Sequence, residues 1–261
     1  MPHLLSRVVL STLAALLIAS CDTAPNPDNL ATEVTLLVVY TRDAAEAAVD
    51  LNAYLQSAIA HTNIAFGNSR IPVVLTMVFA QEVDYTSTVP LQDLTYLVGQ
   101  NDGVLDEVHT LRDQFEADIV AFITNDPQST RNAAIMATPA TAFVMAYWQD
   151  SAAPEYGLAH EIGHLFGARH TPDSDALDQP FAYGHGFRNA TYRTIMANGT
   201  QTRVPHFSGP DQVYQGVVLG DSTERDVARA IRESAVYVSN FRGPQTETAF
   251  VPSGTWPVVN P

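Results

Sequence analysis

Residues 160 to 170 read His160-Glu161-Ile162-Gly163-His164-Leu165-Phe166-Gly167-Ala168-Arg169-His170, a run that demands a helix followed at once by a reversal. His160 and His164 are one helical turn apart, so both imidazoles leave one face and can reach a single ion. Gly167 can adopt positive φ without a Cβ penalty, ending the helix and turning the chain back so that His170 meets the same ion. Three nitrogen donors with a fourth position open are the donor set of a catalytic zinc; a structural zinc is closed by four protein ligands, usually including cysteine. Glu161 stands beside the first ligand, where its carboxylate can take a proton from water acidified by the metal. A bare His-Glu-x-x-His match also fits an ordinary amphipathic helix with solvated charges. The third histidine and the glycine at fixed offsets make the extended pattern far more selective.

Further stretches extend the pattern: Tyr183-Gly184-His185-Gly186, Arg193-Thr194-Ile195-Met196-Ala197, Phe207-Ser208 and Asp226-Val227-Ala228-Arg229. With Ala159-His160-Glu161 and Gly167-Ala168-Arg169-His170, these residues make the chain resemble the metzincin metallopeptidases, and within them the bacterial, reprolysin-like peptidyl-Asp metalloendopeptidase group. The resemblance implies an α/β (α+β) metzincin-type catalytic domain. Its upper lobe would hold a mixed twisted sheet with helices, then the zinc-binding active-site helix, and a small irregular lower lobe would end in a C-terminal helix. It further implies one catalytic Zn2+ on His160, His164 and His170, Glu161 as general base, and Met196 in a Met-turn as a hydrophobic floor beneath the metal. Read alone, a methionine in an apolar run is ordinary core filler.

One departure concerns Asn198, two residues after that methionine, where many metzincins carry a tyrosine. Asn198 can donate a hydrogen bond but offers no phenol. Cleavage before acidic residues, also implied by the resemblance, needs a cation beyond the scissile bond. Arg203 is the first candidate and Arg193 the second; either could instead brace the loop after the Met-turn.

The chain opens with Arg7 in a short basic start, an apolar stretch from Val8 to Ala19, and small residues before Cys21. Residues 1–20 are expected to be a signal peptide, too short to favour a spanning helix. Ile18-Ala19-Ser20-Cys21 resembles a bacterial lipobox, so Cys21 is the expected lipidation site, anchoring the protein to a bilayer at the cell envelope; ordinary secretion is the alternative. Residues 21–32 form a short linker, leaving no sizeable inhibitory propeptide expected. Residues 33–242 form the catalytic domain, and the Pro/Thr/Gly-rich tail 243–261 is expected to be disordered. Cys21 is the sole cysteine, so stability must come from the core, which 46% hydrophobic content can supply.

Twenty-eight acids oppose 13 bases, every base is arginine, and the formal net charge is −15. That balance disfavours nucleic acid and anionic membrane contact and favours solubility; the resemblance implies a peptide or protein substrate, and a monomer is expected. No EF-hand loop is present, which leaves calcium open. A surface lipoprotein that kept the fold as a binding module is the rival reading. Intact Glu161 argues against it and Asn198 leaves it open.

Hydrophobic patterning predicts strands at 34–41, 73–79 and 118–124, with a cleft-edge strand at 143–148. It predicts helices over 42–66, 91–115 with a break near Gly99 and Gly103, 156–166 and 224–241. An extended substrate is expected to pair with the edge at 142–147. Asp173 and Asp175 could brace Arg169 or a ligand histidine. His61, His109, His185 and His206 read as structural.

Overall fold

The computed structural model describes residues 31–175, 177 and 179–242. The expected signal peptide at 1–20, Cys21, the expected linker up to residue 30 and the tail 243–261 lie outside the described residues.

The core is a five-stranded sheet in the order β2-β1-β3-β5-β4. β1 (Thr32–Thr41), β2 (Val73–Val83), β3 (Ile119–Thr124) and β5 (Phe143–Tyr147) run parallel, while the two-residue β4 (Arg131–Asn132) pairs antiparallel with β5. β3 is buried along its whole length, as its unbroken apolar sequence Ile-Val-Ala-Phe-Ile-Thr suits a strand covered on both faces. Its alternation sorts two cores: Ile119, Ala121 and Ile123 face one, Val120 and Phe122 the other.

The first core receives α2 (Leu51–Asn68), α5 (Gly157–Leu165) and α6 (Val227–Val238); the second receives α3 (Pro90–Val98) and α4 (Asp106–Gln114). α2 buries Leu51, Leu55, Ala58, Ile59, Thr62, Ala65 and Phe66, a stripe at helical spacing. The single helix expected over 42–66 is two, because α1 (Arg42–Ala47) stops and Asp50 caps a new start by accepting from the Ala53 amide at 2.9 Å. The expected break near Gly99 and Gly103 separates α3 from α4. No helix of the described residues is long and apolar enough to cross a membrane.

Beyond α5, regular structure thins to two small sheets, β6 (Tyr192–Arg193) beside β7 (Thr202–Arg203) and β8 (Val213–Tyr214) beside β9 (Val217–Val218). This irregular part is tied to the rest. Just past the end of α2, the Ser69 hydroxyl oxygen accepts from the Phe207 amide at 2.8 Å, and the Ser69 carbonyl accepts from the Gln212 side-chain amide at 3.1 Å. α6 sends Val227, Ile231, Ala235 and Val238 into the first core, and Ser234 donates to the Phe166 carbonyl behind α5.

The expected cleft edge is displaced by one strand. β5 is covered by residues 130–133: the Ala133 amide donates to the Phe143 carbonyl at 3.0 Å and the Tyr147 amide to the Thr130 hydroxyl at 3.1 Å. The edge beside the cleft is therefore β4, and an extended partner cannot add to 142–147 without displacing it.

Candidate active site

α5 is buried at all nine positions, so its two histidines and its glutamate are enclosed by the fold. Gly167 at φ 90° closes it with the paired bonds of a Schellman turn: the Ala168 amide donates to the Gly163 carbonyl at 3.1 Å and the Gly167 amide to His164 at 2.8 Å. A Cβ at Gly167 would lie 2.8 Å from Phe181 and Pro180, so space and φ both select glycine.

The turn delivers His170. The Nε2 atoms of His160, His164 and His170 stand 3.1 to 3.2 Å from one another. Three neutral imidazoles cannot all hydrogen-bond mutually, whereas nitrogens held at about 2.0–2.1 Å around a tetrahedral zinc are separated by roughly 3.3 Å. The second nitrogens fix the orientation: His160 Nδ1 donates to the Ile195 carbonyl and His164 Nδ1 to the Ala168 carbonyl, each at 2.8 Å. These bonds place the proton on Nδ1 and leave the Nε2 lone pairs facing inward. Burial holds all three rings below the usual histidine range, His164 at about 3, so they present neutral nitrogens. The trio could hold a metal ion and fits zinc.

Met196 is fully buried under this helix. A Cβ on Gly163, between the two helical ligands, would lie 2.5 Å from Met196 Sδ, so the thioether packs directly on the ligand turn. The same loop supplies the Ile195 carbonyl to His160, so residues 195–196 both support and orient the histidines.

The cleft, about 400 Å3, is lined by the trio, Glu161, Asn198 and Arg203, and by residues absent from the sequence reading, above all Arg131, Asp150 and Glu155. Glu161 is buried, with Oε1 3.9 Å from His160 Nε2. Desolvation pushes its carboxyl up to about 8, against the opposing pull of Arg203 and Arg131. The chain offers no local signal for Arg131, since its place depends on β4 pairing with β5.

The two arginine candidates separate in the structure. Arg193 and Arg203 are directly paired across β6 and β7. Arg193 donates to the carbonyls of Gln201 at 2.9 Å and Ala197 at 3.2 Å and lies 3.5 Å from Glu155, bracing the Met-turn loop outside the cleft lining. Arg203 enters the cleft, donates to the Glu155 carbonyl through Nη1, and has a buried Nε without a partner. Burial lowers its guanidinium to about 10.

Asn198 lines the cleft, its carbonyl accepting from Arg188 at 2.7 Å. Asp175 pairs with Arg169 and Asp173 with Arg188, so the acids after His170 brace arginines rather than ligand imidazoles. His185 Nδ1 donates to the His170 carbonyl at 2.9 Å, holding the third ligand's backbone. His61 accepts from the Ala153 amide, His109 packs on Phe143 and His206 on Tyr214.

Residues 31–208 match Metallo-peptidase family M12. A peptidyl-Asp metalloendopeptidase of Xanthomonas campestris pv. campestris is 34% identical over 216 residues, 80% of this chain and 52% of the relative. One from Stenotrophomonas maltophilia is 34% identical over 220 residues with the same shares, and one from Pseudomonas aeruginosa 26% identical over 276 residues, 89% of this chain and 43% of that one. The chain spans about half the length of the curated relatives it matches. Among solved structures, a chain titled as part of a chaperone–substrate complex shares the fold at TM-score 0.66 and 18% identity, over 82% of this chain and 36% of that one.

Proposed function

This chain belongs to Metallo-peptidase family M12, and from that premise we propose that it is a zinc metalloendopeptidase with Glu161 as general base, cutting before acidic residues. The observation that carries the reading is the convergence of three inward-facing Nε2 atoms at 3.1 to 3.2 Å in a cleft that also holds the Glu161 carboxyl. A bound zinc would supply Lewis acidity toward the scissile carbonyl and acidify water. The chain does the rest. β4 offers an edge that has no further strand partner among the described residues to an extended peptide, Glu161 takes the proton of the attacking water, and the same carboxyl returns it to the leaving amine. No covalent intermediate on the protein is needed.

The acidic preference is assigned to Arg203, which lines the cleft with the three histidines and Glu161 and keeps a buried Nε without a partner. The relatives named as peptidyl-Asp metalloendopeptidases support the same substrate class. Arg203→Gln is expected to lower the ratio of cleavage before Asp to cleavage before Asn by about ten- to a hundredfold, the range of a hydrogen bond to a charged group. A peptide library read at the residue after the cut measures it; an unchanged ratio would remove Arg203 from this role.

The tether rests on sequence alone. We propose that Cys21 carries lipid and holds the domain at the cell envelope. Cys21→Ala is expected to move the protein from the detergent phase to the aqueous phase on phase separation. Partition unchanged by the substitution would dismiss the anchor.

A further inference from the structure

Arg131 is the cleft's second cation, and it sits on the strand where a peptide would add. β4 is the terminal strand of the sheet, so the side of it turned away from β5 has no strand partner among the described residues. Arg131 lines the cleft together with Glu161. Its guanidinium makes one hydrogen bond, from Nη2 to the Gln128 carbonyl at 3.0 Å, and its Nε is buried without a partner.

Most arginines in this acidic chain find a carboxylate: Arg42, Arg169, Arg188, Arg193, Arg225, Arg229 and Arg242 all do. Among the described residues, Arg70, Arg112, Arg131, Arg203 and Arg232 have none within ion-pair distance, and of these five Arg131 and Arg203 line the cleft. A half-buried guanidinium with an unpartnered Nε, in a chain of net charge −15, is a site prepared for an anion from outside.

Arg203 and Arg131 come from different walls, β7 after the Met-turn and β4 at the sheet edge. Both guanidinium groups line the same cleft as Glu161. A peptide lying along β4 puts alternate side chains on the Arg131 face, and opposite charges across neighbouring strands attract.

We propose that Arg131 reads a second acidic side chain of the bound peptide, distinct from the one held by Arg203, so that the cleft selects peptides carrying two acidic residues. The route of the peptide rests on the peptidase reading above. Recognition does not require turnover, so the two can fail separately.

The test uses the zinc-loaded full chain carrying Glu161→Gln and fluorescein-labelled peptides with two, one or no aspartates, asparagine filling the vacated positions. Fluorescence anisotropy is expected to show the two-acid peptide bound about tenfold tighter than the best one-acid peptide, the scale of one charge-assisted hydrogen bond. Adding Arg131→Gln should erase that step and spare the preference for one acid over none. Adding Arg203→Gln should do the converse, and Arg131→Lys, which keeps the charge but loses the planar fork, should retain part of the step. The proposal is overturned if the second aspartate adds no affinity, if Arg131→Gln leaves its contribution intact, or if both arginine variants abolish the same preference. Should the wild-type chain cleave no peptide while this binding pattern holds, the catalytic reading falls and the two-cation reading stands.

Discussion

Glu161→Gln is expected to lower turnover by about 10²- to 10⁴-fold while leaving zinc content unchanged, the signature of a lost proton-transfer group. Glutamine keeps the length and shape of the side chain in a site where Glu161 is only 4% exposed, so the histidines have no cause to move. What it loses is basicity. Burial raises the carboxyl to about 8 in the metal-free protein, and a divalent cation among the three Nε2 atoms would favour the ionised form. A carboxylate poised in this way accepts a proton readily and gives it back, as a hydrolytic base must. Because the folded state disfavours the charged form, the neutral amide should not lower the melting temperature. Peptide cleavage and metal analysis on the same preparation check the expectation, and wild-type turnover in the variant would remove Glu161 from the chemistry.

His164→Gln is expected to act one step earlier, by removing the metal. His164 is 2% exposed, its Nδ1 is committed to the Ala168 carbonyl at 2.8 Å, and its Nε2 lies within 3.2 Å of both other donors. Zinc sites of four ligands bind with an apparent ~10–16 kcal/mol, so one ligand is worth roughly 3 kcal/mol and its loss a few hundredfold in affinity. Competition against a calibrated chelator would measure that drop, and activity should vanish with the zinc. Undiminished zinc affinity would mean that His164 is not a ligand. Comparing melting curves of the metal-free proteins separates this from simple unfolding.

The convergence of the three histidines was legible because its determinants are local. One turn of helix relates His160 to His164, and Gly167 at φ 90° brings back His170 within six residues of His164. Long apolar runs were legible for the same reason, as β1, β3 and the stripe along α2 bear out. The edge strand was not. Arg131–Asn132 is too short to carry alternation, and only its pairing with β5 makes it a strand. That miss hid Arg131 as well, whose place in the cleft follows from the pairing. The interrupted helix at 48–50 did leave a signal: Asp50 stands directly before the apolar stripe of α2, where a capping residue belongs. Arg193 and Arg203 could not be separated from sequence, since they face each other across a two-residue pairing and only packing sends one into the loop and the other into the cleft.

The central claim, that three imidazoles and no other protein group hold one catalytic zinc, is tested most directly by zinc-edge X-ray absorption on the full chain loaded with one equivalent of metal. The account predicts three imidazole nitrogens at about 2.0–2.1 Å, no sulfur, and a fourth position left to solvent or substrate. A fourth protein donor, or two imidazoles with the Glu161 carboxylate bound in place of the third, would contradict it.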